Sequence, residues 1–242
     1  MKFKSTTRMQ IPVEVIQIRD VTPSMRRITV AGDSLQDLVV EKPAQWMKVF
    51  FPGRGNMPPV GRAYTIRRFN AADGRMDLDF VLHGDTGPAS FWVTRAKPGD
   101  VLQLAGPRSG MDITPTVNCY ILVGDATAIP AMASILAALP SHCQVDMYVE
   151  VIDAWEEQIL ESAARLTIHW LHSETQEPGT TGQLEQAIKN ASIDPTDCQC
   201  WVAGESAMVR AVVAHLVTEH EVPRSMIHSA GYWKLGASDH RE

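Results

Sequence analysis

Two patterns of hydrophobic and polar positions divide the chain near residue 115. Before that point, short runs of alternating or continuous apolar residues are separated by turn residues. The runs are VEVIQIRD, MRRITVAG, QWMKVFFPG, RAYTIRRF, MDLDFVLHG and DVLQLAG, with PG, GRGN, ADG and KPGD as turn signals. Closely spaced short strands with a single helix among them predict a small antiparallel β-barrel. We expect residues 1–115 to form this first domain.

After residue 115 the pattern alternates between strands and helices. Apolar strands such as NCYILVGD, QVDMYVEV, LTIHWL and CQCWVAG are each followed by a helical segment or a loop. In the segment after NCYILVGD, Ile129, Met132, Ala133 and Leu136 follow the i, i+3, i+4, i+7 spacing of an amphipathic helix. This alternation predicts a parallel α/β sheet over residues 116–242, ending in a C-terminal tail. A barrel followed by such a domain can bind two nucleotides, one on each.

Composition excludes several classes of function. The net charge of −6 comes without a basic block, so nucleic acid is a poor candidate partner. No stretch approaches the roughly 20 apolar residues of a membrane span, and the basic start has no apolar segment of a secretion signal behind it. We therefore expect a cytoplasmic protein. A monomer is expected as well, although the sequence carries no signal for the oligomeric state. The four cysteines form no C-x-x-C pair and the eight histidines are dispersed, so buried thiols and no metal site are predicted.

The segment RAYTIR, residues 62–67, carries an unusual set of side chains for a strand. In an extended chain alternate residues share a face, so Arg62 and Tyr64 point one way while Thr65 and Arg67 point the other. Two cations, an aromatic ring and a hydroxyl suit an anionic, planar ligand better than they suit a core.

A helix start is predicted where VLHGDTGPAS places Pro88 after Gly87, because proline is favoured at the first helical position. The free amides of that first turn and the positive end of the helix dipole would bind a pyrophosphate. Ser90 would add a hydroxyl donor and Arg62 a charged contact. The alternative is a tight turn that only leads into a packing helix.

A second phosphate candidate lies in YILVGDATAIPA, where an apolar strand runs into Gly124, Asp125 and Thr127 before a helix. The segment lacks the G-x-G-x-x-G dinucleotide fingerprint. A plain strand-to-helix turn is therefore an equal alternative.

Six segments in order, RAYTIR, LHGDTGPASFW, AGPRSG, VGDATAIPA, WVAGES and GYWKLG, resemble the siderophore-interacting protein family. These are flavin-dependent ferric-siderophore reductases of the ferredoxin-reductase-like superfamily. The resemblance implies an FAD-binding antiparallel barrel followed by an α/β domain for a nicotinamide nucleotide. It implies hydride transfer to FAD and then single electrons to chelated Fe(III), since Fe(II) is held less tightly by hard oxygen ligands. No catalytic acid is needed.

The resemblance also implies roles for residues. Arg62 would hold the flavin phosphates, Tyr64 would pack against the isoalloxazine, and Thr65 would lie near its redox-active nitrogen. His83 would line the same cavity as Arg67, although a histidine at a strand end often only caps local backbone. The predicted cofactor contacts are Arg62, Ala63, Tyr64, Thr65, Arg67, His83, Gly87, Pro88, Ala89, Ser90, Asp125, Thr127 and Trp233.

Ferric siderophores are often anionic, so a basic pocket over the flavin is expected despite the acidic net charge. Its candidate residues are Lys48, Arg67 or Arg68, and Lys234, with a solvated strand residue as the alternative for Lys48. Trp233, in GYWKLG, would either stack on the flavin or pin the tail onto the α/β domain.

The electron donor is less well specified by the sequence. The segment VEVIDAWEEQ is acidic, and Ser173 stands where some NADPH-using relatives carry an arginine. These features favour NADH over NADPH, with a ferredoxin as a further alternative. Two other functions stay open: a general flavin or ferredoxin-type reductase, and a siderophore-binding protein without enzymatic activity. Catecholate and hydroxamate siderophores are not distinguished.

Overall fold

The computed structural model describes residues 10–53, 58–82 and 87–237. The chain divides into two compact units, the first up to Gly110 and the second from Met111. The boundary that the sequence predicts, between residues 115 and 116, falls in the same connection, which joins the strand ending at Arg108 to the strand beginning at Cys119.

The first unit is a closed antiparallel barrel, as predicted. Its strands follow the order β1-β2-β5-β4-β3-β6 around the barrel. They are β1 (Ile11–Thr22), β2 (Met25–Ala31), β3 (Trp46–Phe51), β4 (Val60–Asn70), β5 (Arg75–Val81) and β6 (Val101–Arg108). Helix α1 (Pro88–Arg95) follows β5 in the chain and packs against β3, β4 and β5.

Alternation along the strands builds the barrel core. In β3, Met47, Val49 and Phe51 are fully buried while the residues between them are half-buried, because successive side chains point to opposite faces. Helix α1 closes onto this core through Trp92, whose ring centroid is 5.6 Å from that of Phe51. Full burial of each such side chain contributes about 1.5–3 kcal/mol.

The second unit is a five-stranded parallel sheet with helices, which also confirms the prediction. The strand order is β11-β10-β7-β8-β9. The strands are β7 (Cys119–Asp125), β8 (Gln144–Val151), β9 (Arg165–His172), β10 (Cys198–Glu205) and β11 (Ile227–Trp233), and the helices are α2 (Ile129–Ala138), α3 (Gln183–Lys189) and α4 (Ser206–Thr218). Every residue of β10 is buried, as is typical of a central strand covered on both faces.

The strand order of this sheet reverses between β7 and β10. From β7 the chain first adds β8 and β9 on one side, and then β10 and β11 on the other. In open α/β sheets, ligands bind at the carboxyl ends of the strands beside such a reversal. The ends of β7 and β10 therefore mark the place where a ligand of this unit is expected.

Thiols and membrane spans also bear on the sequence predictions. Cys143, Cys198 and Cys200 are buried and Cys119 is half-buried, all four as free thiols. Over the described ranges, no helix is long and apolar enough to cross a bilayer. Within the same ranges, no group of three or more His, Cys, Asp or Glu residues is placed to hold a metal ion.

Candidate functional site

The segment RAYTIR lies in β4 and is aligned with β3. Arg62 is opposite Val49 and Tyr64 is opposite Met47, and both partners belong to the barrel core. The ring of Tyr64 packs against that of Phe80, with 4.3 Å between centroids. Burial raises the pKa of Tyr64, while the charge of Arg62 acts in the opposite direction. Tyr64 is thus a rigid aromatic residue at the edge of the core.

The other face of β4 brings together three predicted residues. Ala63 is opposite Lys48, and Thr65, which is buried, is opposite Trp46. The Lys48 side chain lies across Gly61, where an added Cβ would come within 2.3 Å of the lysine Cε. Its ammonium is 5.5 Å from the centre of the Phe50 ring. Lys48 is therefore held along the barrel wall, with its charge beside the strand that carries RAYTIR.

Arg67 sits at an irregularity of β4, since the pairing with β5 shifts between Ile66 and Arg68. The Arg67 side chain is only 9% exposed, and its Nε is 3.9 Å from Oδ2 of Asp79. That Nε has no hydrogen-bond partner within the described chain. Asp79 is already engaged by Arg27, whose Nε and Nη2 donate over 2.6 and 2.7 Å.

The electrostatics of Arg67 follow from this arrangement. Burial, and next the charge of Arg27, lower the pKa of Arg67 from 12.5 to about 10. The carboxylate of Asp79 is shared by two buried guanidinium groups, Asp77 adds a weaker attraction to both, and Arg68 repels Arg67, so positive charge is in excess around Arg67. Such a site favours an anionic group of a ligand. Arg68, the neighbouring candidate, is exposed at the surface.

Helix α1 begins at Pro88, as predicted, with Gly87 as its N-cap. Gly87 is extended (φ −143°, ψ 165°) and no side chain caps the helix within the described residues. A Cβ added at Gly87 would meet nothing within 4 Å. The first amides of a helix have no partner inside it, so the amides of Ala89 and Ser90, which no described side chain caps, can donate to a phosphate. The predicted His83 lies outside the described residues.

In the second unit, Asp125, Thr127 and Trp233 are brought together at the ends of β7 and β11. Oδ1 of Asp125 accepts from the Thr127 amide at 2.9 Å and from its hydroxyl at 2.5 Å. Oδ2 accepts from the Trp233 indole at 2.8 Å and from the Glu205 amide at 2.8 Å. Burial raises the pKa of Asp125, and these donors oppose that rise. The indole thus pins the tail to β7, the second of the two roles expected for Trp233.

Glu205 is a residue of this site that the sequence reasoning missed. It ends β10 and caps α4, where its carboxylate accepts from the amides of Ala207 and Met208, the latter at 3.0 Å. Its other oxygen accepts from the amide of Leu235 at 3.2 Å. The available signal was local, because an acidic residue directly between an apolar strand and a helix is a natural N-cap.

Two other predicted positions of the second unit are also defined. Lys234 follows Trp233 and is exposed. Ser173 is buried, and its hydroxyl donates to the Gln176 carbonyl at 2.8 Å. This hydrogen bond stabilises the turn that contains both residues. Nearby, the fully buried Glu150 accepts from the Thr181 hydroxyl at 2.8 Å, and burial raises its pKa.

Family models match both units. Residues 14–60 and 53–111 match the siderophore-interacting FAD-binding domain, and residues 117–236 match the siderophore-interacting protein model. The chain belongs to the siderophore-interacting protein family. FAD fits the first unit of this family member on two observations made over the described residues: no side chain caps the N-terminus of α1, and the buried Nε of Arg67 has no hydrogen-bond partner.

Individual relatives extend this result. The chain is 27% identical over 246 residues to the ferric vibriobactin reductase ViuB of Vibrio cholerae, covering 94% of this chain and 90% of the relative. It is 26% identical to the ferric acinetobactin reductase of Acinetobacter baumannii, covering 95% of this chain and 80% of that one. A siderophore utilization protein from T. fusca has a similar structure, with a TM-score of 0.88, 30% identity, and coverage of 96% of this chain and 95% of that one.

Proposed function

We propose that this protein is an FAD-dependent ferric-siderophore reductase. The observation that carries the proposal is a barrel that matches the family's FAD-binding domain and offers two features suited to an anion. These are the α1 N-terminus at Gly87, which no side chain caps within the described residues, and the buried Nε of Arg67, which has no hydrogen-bond partner there. Two relatives whose similarity extends over nearly the whole chain are named ferric vibriobactin reductase and ferric acinetobactin reductase. Similarity to siderophore-interacting proteins along nearly the whole chain is expected of a siderophore reductase and is not expected of a general flavin reductase. The siderophore reductase is therefore the better supported function.

Several of the predicted residues of the barrel have a physical role in this function. The α1 amides together with Arg62 would hold the phosphates of FAD, since backbone donors and a guanidinium suit phosphate oxygens. Tyr64, held by its packing against the core, offers a fixed flat face to the ring system, and Thr65 lies on the adjacent strand face. Arg67 supplies a second positive charge. FAD, when bound, supplies electron transfer to the ferric ion, which stays within its chelate.

The proposed binding of the substrate follows from positively charged side chains. An anionic ferric siderophore is attracted by Lys48, by Arg68 and, in the tail, by Lys234. Iron needs no ligands from the protein because the siderophore already occupies its coordination sphere. Reduction weakens the hold of hard oxygen ligands and releases Fe(II) for use inside the cell. We further propose that the protein acts in the cytoplasm as a monomer, with a nicotinamide nucleotide or a ferredoxin as its donor.

The test is an anaerobic panel of ferric siderophores. Protein loaded with FAD is reduced chemically, mixed with catecholate and hydroxamate complexes, and followed by flavin absorbance and by a chelator specific for Fe(II). The proposal expects the flavin to reoxidise and Fe(II) to appear with at least one complex. A protein that takes up no FAD, or a reduced flavin that no ferric siderophore reoxidises, contradicts it. Tight siderophore binding by flavin-free protein would instead indicate a carrier.

A further inference from the structure

The carboxyl ends of β7, β8 and β9 lie side by side at one edge of the parallel sheet, because the three strands are neighbours in that order. The strand order reverses at β7, and a dinucleotide that binds at such a reversal places its pyrophosphate at the helix that follows the strand. That helix, α2, begins at Ile129, and no side chain caps it within the described residues. The adenosine half of the dinucleotide then lies toward the second strand, here β8, where folds of this kind bind its ribose.

Trp155 lies in the loop that follows β8 and is 80% exposed, although tryptophan side chains are highly buried on average. Its backbone forms a single 3₁₀ turn, Ala154–Glu156, with Asp153 as the N-cap. Oδ1 of Asp153 accepts from the Trp155 amide at 2.8 Å, and the Asp153 carbonyl accepts from the Glu156 amide at 3.1 Å. Hydrogen bonds therefore fix the backbone that carries this exposed indole.

The loop of Trp155 is joined to the end of β9. Oε1 of Glu157 is 2.9 Å from Nε2 of His172, which is the last residue of β9. The amide of Glu174 donates to the carbonyl of Ile152 at 2.8 Å, which extends the connection between the two strands beyond their ends. The loops after β8 and β9 therefore form one surface at the edge where the adenosine of a dinucleotide is expected.

The charges of this surface have one sign. The segments VIDAWEEQ, residues 151–158, and HSETQ, residues 172–176, contain four acidic residues and no lysine or arginine. Of the four, Asp153, Glu157 and Glu174 are exposed and Glu156 is buried. A carboxylate can accept a hydrogen bond from the free 2′-hydroxyl of a ribose, whereas it repels a 2′-phosphate. The surface therefore suits the adenosine of NADH and disfavours that of NADPH.

We propose that Trp155 is the residue on which the adenine of the electron donor stacks, and that the exposed carboxylates around it select a dinucleotide without a 2′-phosphate. An indole presents a broad, flat apolar face, and a base stacks on such a face without any matched hydrogen bond. The donor of the reductase is then NADH. This proposal rests on the proposed reductase function, because it identifies the donor of that reaction.

The test titrates ADP-ribose, which contains the adenosine and the pyrophosphate but no redox group, into the FAD-loaded protein by calorimetry. Trp155→Ala should weaken its binding about 5- to 100-fold, which is the range that alanine substitution gives for base stacking. Trp155→Phe keeps an aromatic face and should recover part of this loss. Ile159→Ala removes a nearly fully exposed side chain from the same connection, and it should change the affinity by less than about twofold.

Two further measurements use the same proteins. The 2′-phosphate derivative of ADP-ribose should bind the native protein at least ~tenfold more weakly than ADP-ribose does, and Glu157→Gln should narrow that difference. In steady-state reduction by NADH, Trp155→Ala should raise KM and leave kcat near its native value, because the adenine takes no part in the chemical step.

Three results would overturn the proposal: no binding of ADP-ribose to the native protein at about 1 mM, equal affinities of the native and Trp155→Ala proteins, or equal or tighter binding of the 2′-phosphate derivative. Equal affinities together with slower reduction of Trp155→Ala by a ferredoxin would assign the indole to a protein donor instead. The same preparations are also reduced with dithionite and mixed with ferric siderophore. That reaction bypasses the donor, so its failure contradicts the reductase function, whereas a failure confined to the titrations contradicts only the donor assignment.

Discussion

Replacing Arg67 with methionine separates the stability of the barrel from its affinity for FAD. Methionine keeps most of the aliphatic volume of arginine and removes the guanidinium group. In the ligand-free protein that group lowers the stability of the fold, because its Nε has no hydrogen-bond partner in the described part of the chain and Asp79 is already paired with Arg27. In the FAD complex we expect the same group to stabilise the bound state by donating to a phosphate or another electron-rich part of the flavin.

The magnitude follows from the position of the side chain. A pKa lowered from 12.5 to about 10 means that the buried site disfavours the charged form by ~3 kcal/mol. An unsatisfied buried donor alone costs about 1–3 kcal/mol. This shift already includes the attraction to Asp79, so we expect a net gain in the free energy of unfolding of about 1–3 kcal/mol for the flavin-free Arg67→Met protein. A charged hydrogen bond to the ligand is worth about 1.5–3 kcal/mol, which predicts an FAD affinity roughly 10- to 150-fold weaker.

Urea unfolding of the flavin-free protein and fluorescence titration with FAD measure the two effects. Arg75→Met, at an exposed arginine on the neighbouring strand β5, is the matched control and should leave both quantities near their native values. A flavin-free Arg67→Met protein that is less stable than the native one, together with unchanged FAD affinity, would refute the reasoning. Arg67 would then be a structural residue held by Asp79.

Three further predictions concern residues that we propose to bind FAD or the ferric siderophore. Gly87→Asp should stabilise flavin-free α1 by a few tenths of a kcal/mol and weaken FAD binding at least ~tenfold, because its carboxylate would occupy the phosphate site. Gly87→Asn introduces a neutral cap and should bind FAD better than the aspartate variant. Equal FAD affinities of the two variants would contradict the anion site. Lys48→Ala combined with Lys234→Ala should weaken the binding of an anionic ferric siderophore about tenfold in a fluorescence titration, and the affinity should depend less on salt. Unchanged affinity would reject the basic pocket. As pH rises through about 10, Arg67 should lose its proton in the folded state before it does so in the unfolded state. In urea unfolding, the native protein should therefore gain stability relative to Arg67→Met between about pH 10 and 12. A stability difference between the two proteins that is independent of pH would contradict the lowered pKa.

The architecture could be predicted from the sequence because its signals are local. Alternation in segments such as WMKVFF fixes which side chains of β3 face the barrel, and Pro88 after Gly87 marks the start of α1. The apolar strands after residue 115 similarly indicated a parallel sheet. Each of these features depends on neighbouring residues alone.

The connections within the sites could not be predicted because they depend on pairing between distant strands. Arg67 acquires its environment from the irregularity in β4 and from the pairing of Arg27 with Asp79, which are 52 residues apart. The hydrogen bond from Trp233 to Asp125 spans 108 residues and requires the parallel register of β7, β10 and β11. Sequence reasoning therefore left two roles for the tryptophan, and only the folded chain shows the indole bound to β7.

The most direct measurement of the central claim is the yield of Fe(II) per flavin in a single anaerobic turnover. FAD-loaded protein is reduced stoichiometrically, freed of reductant, and mixed with excess ferric siderophore and a chelator specific for Fe(II). A reduced flavin carries two electrons, so the account predicts about two Fe(II) per FAD as the flavin absorbance returns. A flavin that stays reduced while the ferric complex is bound, or a protein that holds no FAD, would contradict it.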